Sequence, residues 1–179
     1  MLNKEKLILY IWLFSLIAII AIGVLLSLQR PSAEIIAADK ELVETTEKIR
    51  TYYRNRPDYW GLDNGVVIEQ HLYAGELKEG KVINSLQKEV IVGSDDKGTK
   101  VMPGSRNFIV MYRGLTKEEC IAIASFRGKE QDQLGLISMS IQNNKGTHEF
   151  SWGNKGLPLS SGQVKKYCQE ENNVMWSFE

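Results

Sequence analysis

The sequence is poor in the residues on which most enzyme chemistry depends. Histidine occurs twice, at His71 and His148, far apart and without ligand spacing. That leaves no His-based metal set and no histidine to activate Ser160 or Ser161. Cysteine also occurs twice, with no C-x-x-C pair. An excess of one charge is missing: 22 Lys and Arg balance 22 Asp and Glu, which argues against a general nucleic-acid surface. The G-x-S-x-G, P-loop and dinucleotide glycine patterns are absent. Asp95-Asp96 lacks the EF-hand ligand series. Glu118-Glu119 and Glu170-Glu171 read as solvated charges on helix surfaces. The expectation is a non-enzyme with no cofactor, no metal and no small-molecule substrate.

What is present begins with Leu7 to Leu28, 22 residues without a charge. As a helix the run would be ~33 Å long, enough to cross a ~30 Å hydrocarbon core. Leu7, Ile11, Trp12, Phe14, Ile20 and Leu28 are its anchor positions. Lys4 and Lys6 precede it, a short basic flank that keeps the N-terminus cytoplasmic and exports the rest. The run exceeds a signal-peptide core and no small-x-small site follows it, so a retained anchor is expected.

Pro31 marks a kink or break. Beyond it Ile35, Leu42 and Ile49 recur every seven residues, with Ala38, Thr45 and Tyr52 three further on. This is a narrow apolar packing seam (Ile35, Leu42, Ile49, Tyr52) on an otherwise charged helix. Acidic residues fill its first half and basic ones its end, as the helix dipole favours. Pro57 closes it. Three segments follow: an anchor over 1–30, its amphipathic continuation over 31–56, and an exported globular part over 57–179. With both cysteines in the exported part, an even count reads as one disulfide, Cys120 to Cys168.

In the globular part Asp63 or Asn64 caps a short helix over Val66–Leu72, and Gly75 and Gly80 punctuate a loop. Val90–Val92 is a strand, turned at 93–98 toward a returning strand at Thr99–Met102. Phe108–Tyr112 is a stronger, central strand. Thr116 and Glu119 form a capping box that opens a helix running to about Phe126 and stopped by Gly128. Leu134–Ile141 alternates, placing Leu134, Leu136, Ser138 and Ser140 on one face and Ile137, Met139 and Ile141 on the other. It returns at Thr147–Trp152. A short helix over Gly162–Gln169 carries Cys168, and a last strand covers Val174–Phe178. The fold class is α+β, with the long N-terminal helix packed on an antiparallel sheet. Tyr59, Trp60, Trp152 and Trp176 could serve the core or a contact surface, and the sequence does not choose.

Four stretches resemble the type IV pilins, the IVb branch in particular: the long N-terminal helix ending at Ile49-Arg50-Thr51-Tyr52-Tyr53; the Tyr59–Asn64 connector; Phe108–Cys120, with Gly114-Leu115-Thr116 leading to the first cysteine; and Val164–Cys168 before a terminal strand. The resemblance implies a pilin-like structural component, a minor pilin or pseudopilin, packing with other pilins or with pilus assembly proteins. It implies a bacterial inner-membrane location with the C-terminal domain in the periplasm, or incorporation into an extracellular pilus. Two family features have no counterpart here: a Gly just before the apolar run, and a Glu early within it. That implies a minor or pilin-like member on an uncut anchor. The alternative is an anchored periplasmic module that docks with pilins or the assembly machinery.

Overall fold

A computed structural model describes Trp12, Ile17 and residues 31–127, 134–152, 156, 157, 159 and 161–179. The chain forms two units, Met1–Ser32 and Ala33–Glu179. In the first, Trp12 and Ile17 are helical and exposed, whereas the anchor positions Leu7, Ile11, Phe14, Ile20 and Leu28 lie outside the described residues. So does Gly128. Among the described residues no helix is long and apolar enough to cross a membrane.

The second unit opens with helix α1 (Ala33–Tyr53), with Glu34 in its first turn and Arg50 in its last. Its buried stripe is Ile35, Ala38, Leu42, Thr45, Ile49 and Tyr53, flanked by Asp39 and Thr46. Tyr52, placed in the seam by the sequence, is half-buried, and Tyr53 takes the inward position. The reason is helical pitch: a stripe that starts at Ile35 and advances ~3.6 residues per turn reaches Tyr53, not Tyr52, after five turns. The two buried threonines have partners. Thr46 Oγ1 donates to Leu42 O at 2.8 Å, and Thr45 Oγ1 accepts from Ala74 N at 3.2 Å.

Helix α2 (Asn64–Glu69) is capped by Asp63, whose carboxylate accepts Val66 N at 2.9 Å. The loop expected around Gly75 and Gly80 contains a hairpin, β1 (Glu76–Lys78) and β2 (Lys81–Ile83). Its two-residue turn places both Glu79 and Gly80 at positive φ, the conformation that matches strand twist.

Five strands make the main antiparallel sheet: β3 (Val90–Gly93), β4 (Phe108–Leu115), β5 (Leu136–Asn143), β6 (Gly146–Ser151) and β7 (Asn172–Phe178). Their order is β3-β4-β7-β5-β6. The last strand is thus central, hydrogen-bonded to β4 on one side and β5 on the other. The returning strand expected at Thr99–Met102 does not form. Val101 N instead donates to Leu62 O, and Gly61 N to Val101 O, tying this segment to the connector after α1. β3 pairs with β4.

The expected alternation of β5 also breaks. A register shift between Leu136 and Ser138 brings Leu136 into the same core as Met139 and Ile141.

The inner sheet face presents Val92, Phe108, Val110, Tyr112, Trp176 and Phe178, among others, to α1 and to α3 (Lys117–Arg127), which contributes Cys120, Ile123 and Ala124. Tyr112 Oη donates to Ala38 O at 2.6 Å, a buried bond joining sheet to helix where the small alanine lets the backbone come close. Ile91, Ile109 and Met111 form a smaller cluster separate from this core, with half-buried Met175 against it. The fold is α+β, with its N-terminal helix laid on an antiparallel sheet.

Candidate functional site

The residues singled out by the sequence converge on two places, the disulfide corner and helix α1. At the corner Cys120, in the first turns of α3, bonds Cys168, which directly follows α4 (Ser161–Tyr167). The S–S distance is 2.03 Å and the Cα–Cα distance 5.9 Å. Both cysteines are fully buried. Thr116 and Glu119 hold the start of α3 reciprocally: Thr116 N donates to Glu119 Oε2 at 2.7 Å, and Glu119 N to Thr116 Oγ1 at 3.2 Å. Lys88 Nζ reaches the same carboxylate at 3.4 Å, which ties β3's approach to the helix.

Asn172, which the sequence marked only as a turn residue, joins these pieces. Its amide donates to Gln169 O at 2.6 Å and Leu115 O at 3.2 Å, and its carbonyl accepts Gln169 N at 2.8 Å. It is almost wholly buried. The side chain thus satisfies backbone groups after α4 and at the end of β4 where no ladder can. Asn64 acts similarly on β3, donating to Val90 O at 2.8 Å and accepting Val92 N at 2.6 Å. A side-chain amide here occupies groups that a neighbouring strand would otherwise take. The sequence offered Asn64 as a possible helix cap and Asn172-Asn173 as a turn into the last strand, but not the long-range bonds that either side chain makes.

On α1 the seam residues Ile35, Leu42 and Ile49 face the sheet and are withdrawn from solvent. The opposite side carries Ile36, 48% exposed, beside the Lys40–Glu44 ion pair at 3.3 Å. This is an apolar side chain set among charges on a helix face that the sheet leaves open.

The aromatics divide. Trp176 is buried against Tyr112 at 5.1 Å between ring centroids. Tyr59 packs on Phe108 at 4.7 Å. Trp152 is anchored by its indole N–H to Leu136 O at 2.8 Å, and Trp60 is exposed. Burial raises the hydroxyl pKa of Tyr53, Tyr59 and Tyr73; for Tyr59 the Arg50 guanidinium opposes the rise, and for Tyr73 the Glu41 carboxylate adds to it.

Asp95 Oδ1 accepts Lys97 N and Thr99 N, both at 3.0 Å, and the bonds from Thr99 hold its carboxyl below the usual range. His148 packs against Tyr167 with its ring tilted, 4.4 Å between centroids. His71 sits exposed at positive φ after α2. Among the described residues no three His, Cys, Asp or Glu side chains are grouped to hold a metal.

No protein-family model matches the chain, and no curated protein matches it. Solved structures do. The type IVb pilin of Salmonella typhi aligns at 14% identity over 78% of this chain and 97% of its own, with a TM-score of 0.51. TcpA, a type IV pilin of Vibrio cholerae El Tor biotype, aligns at 12% identity over 83% of this chain and 100% of its own, with a TM-score of 0.56. At these identities the likeness is one of fold. An N-terminal helix laid on an antiparallel sheet whose last strand is central, with one disulfide bracing the C-terminal half, gives this chain a type IVb-like pilin fold.

Proposed function

We propose that the chain is a pilin-like structural subunit, a minor pilin or pseudopilin, that works by packing against other pilins and not by turnover. The observation that carries this reading is the fold. Helix α1 lies on the sheet by one stripe and leaves the Ile36 side open. Ahead of it in sequence lies the charge-free run from Leu7 to Leu28. Such a run leaves a bilayer at low cost only when other apolar helices surround it, as in the core of a filament. The subunit would then sit in the inner membrane with its sheet domain in the periplasm, or in a filament outside the cell. Shearing filaments from cells and identifying their proteins by mass spectrometry tests this: the chain is expected in the sheared fraction. Its confinement to a stable membrane pool would remove the subunit reading.

A second reading has one observation in its favour. The run from Leu7 to Leu28 contains no carboxylate, so no buried charge there needs a neighbouring subunit's amine. On this reading the anchor stays in the membrane and the domain docks with pilins or with the assembly machinery. Crosslinking in intact membranes separates the two. Pilins captured in membranes, with none in sheared filaments, favour the docking module.

A further inference from the structure

Past the last turn of α1 the chain gathers four arginines around one cleft. Arg50, Arg54 and Arg56 come from the end of the helix and the turn after it, and Arg106 from the segment before β4. The backbone brings them together. Tyr59 N donates to Ser105 O at 3.0 Å, and Gly104 N donates to Asp58 Oδ2 at 2.6 Å. The turn after α1 is thereby clamped to the segment that carries Arg106. The cleft encloses about 540 Å³.

One of the guanidinium groups is held in place by its neighbours. Arg56 lies 4.7 Å from the Tyr52 ring centroid and 4.9 Å from that of Tyr53, and its Nη2 donates to Tyr52 Oη at 3.2 Å. The Arg50 guanidinium lies near Tyr59 and opposes the rise in its hydroxyl pKa. Among the described residues no carboxylate forms an ion pair with any of the four. The lining holds two acids. Asp58 is engaged by the N–H groups of Trp60 and Gly104, and Glu179 lies near Tyr59. The cleft is therefore positive in a chain whose net charge is zero. The negative end of α1 offsets part of the repulsion for Arg50 in its last turn, but Arg106 belongs to no helix.

We propose that this cleft binds a small molecule carrying two or more phosphate or carboxylate groups close together. Guanidinium forks match both oxyanions in bidentate geometry, and the lining contains arginines but no lysine. The volume falls in the range of small-molecule sites, and the rings of Tyr53 and Tyr59 supply aromatic wall. This is a binding site and not a catalytic one. It does not depend on filament incorporation.

The test is calorimetric titration of the full chain in nonionic detergent with sodium pyrophosphate, citrate and glycerol 3-phosphate, at low and at raised sodium chloride. Saturable one-to-one binding of pyrophosphate or citrate is expected, weakening as salt rises. Arg54→Ala and Arg106→Ala should each weaken it at least about tenfold, Arg106→Lys less, and Lys145→Ala not at all. Thermal melts establish that each variant is folded, and Arg106→Lys serves where an alanine variant is not. Three results overturn the proposal: no saturable heat with pyrophosphate or citrate, binding unchanged by the arginine substitutions, or tighter binding of glycerol 3-phosphate, which would assign the cleft to a lone headgroup-type phosphate.

Discussion

Breaking the Cys120–Cys168 bridge frees the unfolded chain of a covalent restraint and should lower the stability of the fold. The cysteines are 48 residues apart. On the chain-entropy model a loop of that length stabilises the folded state by about 4 kcal/mol, through restriction of the unfolded chain. For a unit of the size of 33–179 each kcal/mol moves the midpoint about 2–4 °C, so the loss should appear as a fall of about 8–16 °C. The perturbation is Cys120→Ala/Cys168→Ala, with both single variants alongside, followed by circular dichroism melts of the full chain in detergent. Either single change opens the loop, so on the entropic argument the singles should fall within about 1 kcal/mol of the double. A double variant much worse than either single would place the stabilisation in packing around the sulfurs. Both sulfurs are buried, so reductant should act slowly on the native protein and quickly once it is unfolded. A midpoint fall below about 3 °C would refute the loop-entropy reasoning. So would two alkylatable thiols in protein unfolded without reductant, because the bridge itself would then be missing.

Three further outcomes follow from the same structure. Tyr112→Phe removes the buried bond to Ala38 O and should cost about 1 kcal/mol, whereas Leu42→Ala in the same interface should cost about 2–5 kcal/mol, both read from denaturant midpoints. Asn172→Ala strands the amide's backbone partners at Leu115 and Gln169 and should cost about 2–4 kcal/mol; a loss under about 0.5 kcal/mol would mean that water replaces the side chain. Tyr53, Tyr59 and Tyr73 have raised hydroxyl pKa values, so the folded state favours their neutral forms. Their contribution to stability is complete below the ordinary tyrosine value near pH 10 and is lost as pH rises above it. Ultraviolet difference titration should therefore show part of the tyrosine set ionising late, together with unfolding; ionisation of the whole set in one step near pH 10 without unfolding would contradict this.

Local chemistry made much of this fold legible. The seven-residue spacing of Ile35, Leu42 and Ile49 identified the buried side of α1, because helical repeat and burial report the same geometry. Thr116 and Glu119 marked the start of α3 through complementary hydrogen-bonding groups three residues apart. Other features escaped for physical reasons. Residues 76–78 and 81–83 make a hairpin too short and too exposed for alternation to register. Val101 pairs with Leu62 across the chain, so its β-forming neighbourhood served a long-range contact and not a local hairpin. The register shift in β5 moves Leu136 to the other face, which a strict period of two cannot express. The central place of β7 depends on pairing with strands far away in sequence. The arginine cleft was half visible as basic residues at the end of a helix, but Arg106 joins it only through the clamp at Gly104 and Ser105.

The bridge that joins α3 to the end of α4 also has a mechanical meaning. If residues 33–179 were stretched between their two ends, tension would pass from Cys120 to Cys168 through sulfur, and the chain between them would carry none. That segment holds roughly 160 Å of extensible contour. A force trace on the oxidised protein should stop short by about this amount and recover it on reduction. The segment from α3 through β5 and β6 to α4 is thereby shielded from a pull that the rest of the chain must bear.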